Sequence, residues 1–152
     1  MFIVTAKLSK KRALVIVLVI AVLLTTVIVL AARRDRNTGI EAETAGDVVT
    51  FLETLGWQVD PEPIEVAEVL IPREWGEVYE AYNALQLEAG FDLTPHKGRP
   101  AVRHTYRVLN YPGQSDGVVV DVLVADGRVI GGGIQSVYLD GFIHGLFPNV
   151  GT

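Results

Sequence analysis

The chain has 152 residues, enough for about one domain, and a formal net charge of −5. It contains no cysteine, which excludes a disulfide framework, a cysteine nucleophile and cysteine-ligated zinc. Residues 1–36 carry seven basic residues and one acidic residue, whereas residues 37–152 carry six basic and seventeen acidic residues. Because an acidic domain is repelled by the phosphate backbone, we expect no nucleic acid among its partners.

The first feature in chain order is an uncharged apolar run at residues 13–32, which follows a basic tail at residues 1–12. A helix of this length spans about 30 Å, the thickness of the hydrocarbon core of a bilayer. The run is rich in Val and Ile, but in lipid a single segment satisfies its backbone polar groups only as a helix. The sequence therefore predicts a transmembrane helix at residues 13–32, with the lipid bilayer as its partner.

The flanks of the run predict its topology. Arg33 and Arg34 follow at once, and the run is longer than the apolar region of a signal peptide, about 7–15 residues. Both features favour an uncleaved anchor. Four basic residues precede the run and three follow it, and this slight excess favours a cytoplasmic N-terminus. We expect a single-pass plasma-membrane protein whose C-terminal domain is extracytoplasmic.

Residues 33–43 are polar and aperiodic and are predicted to be a linker, so residues 44–152 form the domain. Thr44 and Asp47 have the spacing of a capping box at a helix start, with Asp in place of the usual Glu. An apolar stripe at helical spacing follows: Val48, Phe51, Leu52 and Leu55. Gly56 is expected to end this helix, with Trp57 folding back onto Leu52.

A second helix is predicted from a stripe that should face the core: Trp75, Val78, Tyr79, Tyr82, Leu85 and Ala89. Gly90 supplies its C-terminal stop. Residues 64–71, bounded by prolines, are predicted to be an edge strand.

Three further strands are predicted at residues 102–110, 118–125 and 128–138. Asp126-Gly127 is a type I′ hairpin signal between the last two. Gly131 to Gly133 indicate a bulge or another backbone packed closely against the strand. We therefore expect an α+β fold in which two helices cover one face of a mostly antiparallel sheet of three to four strands.

Eight ordered stretches carry a family resemblance: TLGWQV (54–59), PEPIEV (61–66), IPREW (71–75), YNALQ (82–86), GFDL (90–93), NYP (110–112), VIGGG (129–133) and DGFIHG (140–145). Together they resemble DUF4830, a domain of unknown function found in clostridial-type Gram-positive bacteria. The resemblance implies an N-terminal membrane helix followed by this domain, in a cell with a single membrane. It brings no catalytic or binding residue to carry over.

The stretch LDGFIHG, residues 139–145, is the one place where chemistry can be suspected, because Asp140 and His144 lie four residues apart between glycines. We interpret it as a packed turn, since Asp before Gly is common turn chemistry. The other histidines, His96 and His104, complete no metal-binding spacing with His144. No catalytic, cofactor-binding or metal site is predicted, and no cofactor is expected.

Two function classes remain open. The first is a non-catalytic module that binds an envelope or membrane protein. The second is a small cell-envelope hydrolase whose site would assemble from Asp140, His144 and a distant Ser, Thr or Tyr.

Overall fold

The computed structural model describes residues 15, 17–26 and 40–147. Residues 17–26 are helical, but no helix within the described residues is both long enough and apolar enough to cross a membrane. The rest of the predicted span at residues 13–32, the basic tail and most of the linker lie outside the described residues. The chain forms two units, Met1–Thr38 and Gly39–Thr152, and every described strand belongs to the second.

The second unit is built on an antiparallel sheet whose five strands lie in chain order. They are β1 (Glu65–Leu70), β2 (Pro100–Arg107), β3 (Val118–Ala125), β4 (Arg128–Ser136) and β5 (Ile143–His144). The α+β class and the edge position of β1 are confirmed. The expected count of three to four strands was too low, because β5 has only two residues and such a segment shows no readable alternation.

Two α-helices, α1 (Ala45–Thr54) and α2 (Glu77–Glu88), and a 3₁₀ turn (Thr94–His96) complete the described part of this unit. The buried residues of α1 share a core cluster with Val120 and Val122 of β3. Side chains of α2 pack instead against a second cluster that contains Leu123 and Ala125. Since successive residues of a strand point to opposite faces, the two helices cover opposite faces of the sheet.

The expectation that both helices cover one face was therefore wrong. In β3 seven of the eight residues, all except Asp121, are buried. Such a continuous apolar run is what a strand covered on both faces requires, whereas a strand with one wet face alternates.

The predicted start and end of α1 are confirmed. The Thr44 hydroxyl accepts from the Asp47 N–H at 3.2 Å, and the Asp47 carboxylate accepts from the Thr44 N–H at 2.8 Å. Gly56 has φ 89°, and the Trp57 N–H donates to the Leu52 carbonyl at 3.1 Å. Each of these bonds joins residues at most five positions apart, so the sequence alone could predict them.

The predicted hairpin and the glycine run are also confirmed. Asp126 and Gly127 both have positive φ, as a type I′ turn requires. The register moves from Leu123 opposite Gly131 to Val124 opposite Val129, so the residue between them on β4 is extra and forms a bulge. A Cβ added to Gly132 would lie 2.2 Å from the Asp121 carbonyl oxygen, so close backbone packing is present as well.

The buried side of α2 differs from the predicted stripe. Val78 is 85% exposed, and the buried residues of α2 are the amides Asn83 and Gln86. Gln86 Oε1 accepts from the Gly132 N–H at 2.8 Å, and Asn83 Oδ1 accepts from the Leu93 N–H at 2.9 Å. This part of α2 therefore packs on main-chain donors that need partners, and polar side chains meet that need better than apolar ones.

The ordered contacts of the domain begin before Thr44. Residues 40–42, assigned from the sequence to the linker, reach the start of β4. The Val129 N–H donates to the Ile40 carbonyl at 2.9 Å, and the Ala42 N–H donates to the Gly127 carbonyl at 2.8 Å. Ala42 is buried in the core cluster of α1. The described part of the domain therefore starts at Ile40.

Because both core clusters consist of residues after position 39, a chain shortened to residues 37–152 is expected to fold by itself. Its thermal unfolding, followed by circular dichroism, should be a single cooperative transition. The domain in the full chain, held in detergent micelles, should melt at the same temperature. Aggregation or a gradual melt of the short chain would mean that residues 1–36 are needed for folding.

Candidate functional site

A groove opens on the face of the sheet covered by α2, beside the first half of that helix. It encloses about 290 Å³, and we call it the α2 groove. Its described lining residues are Val69, Val78, Tyr79, Tyr82, Arg103, Asp121, Leu123, Gly133, Gln135 and Ile143. They come from all five strands and from α2, so no short stretch of sequence contains the groove.

The floor of the groove is polar because three neighbouring strands place polar side chains on the same face. Thr105 of β2 lies directly opposite Asp121 of β3, and its hydroxyl donates to one Asp121 carboxylate oxygen. Gln135 of β4 donates its Nε2 to the other oxygen at 2.8 Å. Asp121 therefore sits half-buried between two neutral donors.

Arg103 is the cation of the groove. Its Nη2 forms a salt bridge of 2.5 Å with Glu65 on β1. The hydrogen bond that Arg103 donates to Glu65 raises the pKa of Arg103, and the Coulombic attraction of Asp121 raises it further. The guanidinium is thus paired with one carboxylate and attracted by a second. Together Arg103, Glu65 and Asp121 carry a net charge of −1.

The helix side of the groove is aromatic. The ring centroids of Tyr79 and Tyr82 lie 6.1 Å apart in an edge-to-face arrangement, and Tyr79 also contacts Trp75 at 5.4 Å. Burial raises the pKa of Tyr82, and the nearby Asp121 charge raises it further, so this hydroxyl stays protonated. Val78 at 85% and Ile143 at 50% exposure leave an apolar rim.

The structure does not bring together Asp140 and His144, the pair singled out from the sequence. Asp140 is exposed in a turn closed by the Gly141 N–H and the Tyr138 carbonyl at 3.0 Å. Within the described residues, no hydrogen bond joins its carboxylate to His144. His144 lies on β5, with Nδ1 at 2.7 Å from the Gly145 carbonyl and Nε2 at 3.1 Å from the Tyr111 hydroxyl.

His144 belongs instead to an aromatic cluster of Trp57, Tyr111, Phe142 and His144. Ring centroids are 5.9 Å apart for Trp57 and Tyr111, 4.8 Å for Tyr111 and Phe142, and 5.6 Å for Phe142 and His144. Trp57 Nε1 donates to the Leu146 carbonyl at 2.6 Å. Leu146 is fully buried and Phe142 partly buried, so the segment helps to close the core.

Position 141 has no room for a side chain, and this is why glycine fits there. The φ of Gly141 is not positive, so backbone freedom is not the reason. A Cβ there would lie 2.6 Å from the Ser136 Cβ and 2.7 Å from the Tyr138 carbonyl oxygen. Within the described residues, no backbone N–H donates to the Asp140 carboxylate. The packing of this segment therefore rests on Phe142, Leu146 and the glycines.

Replacing Phe142 by Ala should lower the free energy of unfolding by about 2 kcal/mol, because a partly buried ring loses its stacking on Tyr111 and His144. Asp140→Ala should change it by less than about 0.5 kcal/mol, as for most surface substitutions. Urea unfolding of both variants measures the two values. A large loss for Asp140→Ala with no loss for Phe142→Ala would contradict this account of the turn.

Residues 51–134 match the family model of DUF4830, a domain of unknown function. The chain belongs to the DUF4830 family. The resemblance drawn from the sequence is thus confirmed. The match runs from α1 into β4, includes Tyr82, Arg103 and Asp121, and ends before Asp140 and His144. No curated protein and no solved structure matches this DUF4830 chain.

The floor of the groove in this DUF4830 domain was not predicted from the sequence. One signal was present: Asp121 is the only charged residue in the run Val118–Ala125. A single carboxylate in a strand buried on both faces needs hydrogen-bonding partners, so its position indicates a polar cluster on one face of the sheet. Arg103 and Gln135 gave no such signal, since each lies among residues of mixed polarity.

Proposed function

We propose that this protein is a membrane-anchored, extracytoplasmic binding module whose α2 groove receives part of another envelope or membrane protein. The observation that carries the proposal is the groove itself. It combines a polar floor of fixed hydrogen-bonding groups with aromatic and apolar walls and an exposed apolar rim. Binding sites commonly have this composition, in which apolar contacts supply affinity and a few polar groups supply orientation.

The anchor is proposed from the apolar run at residues 13–32 and its basic flanks. The chain enters the domain at Ile40, beside Gly127 and the start of β4. Gln135 of the groove floor lies seven residues beyond Arg128 along β4, a distance of about 23 Å in an extended strand. The Gln135 side of the groove floor therefore lies toward the end of β4 opposite Arg128.

The hydrolase alternative now depends on the contact between Tyr111 and His144, the one observation that favours it. The Nδ1 of His144 is held by the Gly145 carbonyl, so Nε2 is the nitrogen that accepts from Tyr111. Asp140 takes no part in this arrangement. If His144→Ala abolished a cellular phenotype and left the melting temperature unchanged, the hydrolase alternative would replace the binding module.

The proposed topology is tested in protoplasts. Protease added outside should digest the domain, because residues 44–152 are proposed to lie outside the membrane, and should leave a fragment of the anchor and the N-terminal tail. A cytoplasmic protein measured in the same sample must survive. Survival of the domain together with that control would reverse the orientation.

Binding through the groove is tested by photo-crosslinking in intact cells. A benzophenone amino acid at Val78 lies on the exposed rim of the groove. The same group at Glu53, which is exposed on α1 and thus on the other face of the sheet, is the matched control. We expect a discrete crosslinked band from Val78 and none from Glu53. Absence of the band, or equal bands from both positions, would refute the proposed function.

A further inference from the structure

We propose that the α2 groove receives a lysine side chain from an exposed segment of the partner protein, with the ammonium group on the Asp121 carboxylate. This inference rests on the proposed binding function and names the chemistry that the groove selects. Three properties of the groove support it: the remaining acceptor capacity of Asp121, the local charge, and the shape of the apolar walls.

Asp121 has unused acceptor capacity. An ionised carboxylate offers about four lone-pair sites. Thr105 takes one on the first oxygen and Gln135 takes one on the second. Counting donors from the described residues, one site remains on each oxygen, and Asp121 lines the groove. A cationic donor would meet this demand with a charge-assisted hydrogen bond, which is stronger than one between neutral groups.

The local charge favours a cation over an anion. Arg103 is the only basic residue among the described lining residues, and its salt bridge to Glu65 neutralises it. Two further acids, Glu77 and Glu80, stand in the first turn of α2. Residues 37–152 as a whole carry a net charge of −11. A field of one sign raises the local concentration of ligands of the opposite sign.

The walls fit the stem of a lysine. Its four methylene groups can pack against Val69, Leu123 and the rings of Tyr79 and Tyr82, while the ammonium lies close to aromatic faces that attract cations. An arginine suits the floor less well. Its planar fork binds best to both oxygens of a free carboxylate edge, and Thr105 and Gln135 already occupy one site on each oxygen.

The experiment uses the full chain in nonionic detergent micelles and three fluorescein-labelled heptapeptides. The first has the core Leu-Lys-Leu; the others have norleucine or glutamate in place of lysine. Norleucine keeps the stem and removes the ammonium. Fluorescence anisotropy should show saturable binding of the lysine peptide, about tenfold weaker binding of the norleucine peptide, and still weaker binding of the glutamate peptide.

Variants locate the ammonium. Asp121→Asn should weaken binding of the lysine peptide about tenfold and leave that of the norleucine peptide unchanged. The new amide can still accept from Thr105, and Gln135 can turn its own amide to match, so we expect the variant to fold. Glu53→Gln on α1 makes the same change in net charge on the other face and serves as the control. Arg103→Gln should strengthen lysine binding, because it leaves the charge of Glu65 uncompensated and makes the groove more negative.

The outcomes separate this inference from the function on which it rests. Equal binding of the lysine and norleucine peptides, tighter binding of the glutamate peptide, or no saturable binding of any of the three overturns the lysine assignment. The assignment is also overturned if Arg103→Gln loses peptide binding while Asp121→Asn keeps it, because that result indicates an acidic ligand. In each case a crosslink from Val78 in cells would leave the binding module standing, and its absence would remove both.

Discussion

Gly132→Ala is expected to abolish or severely weaken folding, with a loss of at least about 3 kcal/mol in the free energy of unfolding. The added methyl group would lie 2.2 Å from the Asp121 carbonyl oxygen and about 3.0 Å from the Leu146 side chain. The first of these neighbours is main chain in the central strand, so it cannot move without disturbing the pairing of β3 with β4. Urea unfolding of the purified variant measures the loss.

Gly46→Ala is the control for this substitution. Gly46 lies in the first turn of α1, where the nearest atom to an added Cβ is the Thr44 hydroxyl oxygen at 3.7 Å, an ordinary contact. This variant should be as stable as the parent or more stable by up to about 1 kcal/mol, because alanine restricts the unfolded chain and favours the helix. Equal stability of the two variants would show that the strands around Gly132 separate without cost.

Trp57→Ala is expected to lower the free energy of unfolding by about 3–5 kcal/mol. Trp57 is 4% exposed, stacks on Tyr111 and donates to the Leu146 carbonyl. Its side chain therefore connects the end of α1 to the last described segment of the domain, 89 residues later. Removing it leaves a cavity and an unpaired carbonyl at the same time, and thermal unfolding followed by circular dichroism records the loss.

Trp75→Ala provides the comparison, because Trp75 also donates its indole N–H to a carbonyl, that of Pro72 at 3.0 Å. That bond spans only three residues, and the ring is partly exposed beneath the Lys97 ammonium. We expect a loss of about 1–2 kcal/mol. If Trp75→Ala cost as much as Trp57→Ala, the connection made by Trp57 would not be a main source of stability.

Less of the candidate site than of the fold could be predicted from the sequence. Asp140 and His144 are close in sequence, yet no hydrogen bond joins their side chains within the described residues, and His144 lies against Tyr111. The α2 groove combines residues between 69 and 143, and its floor forms only when β2, β3 and β4 pair in register. Among these residues, Asp121 alone carries a signal that the sequence shows, as the single acid in an apolar strand, and it was not predicted.

The sequence by itself determined the local features, in which the interacting groups lie within about five residues of one another. The capping box at Thr44, the helix stop at Gly56 and the Asp126-Gly127 hairpin depend on local backbone angles and short hydrogen bonds, and residue type alone selects these. Tertiary structure decided the rest. Hydrophobic burial is not directional, so an apolar stripe indicates that a helix is covered but not which face of the sheet covers it. The opposite placement of α1 and α2, the amides on the buried side of α2, and the union of Arg103, Asp121 and Gln135 in one groove all depend on pairings between residues far apart in the chain.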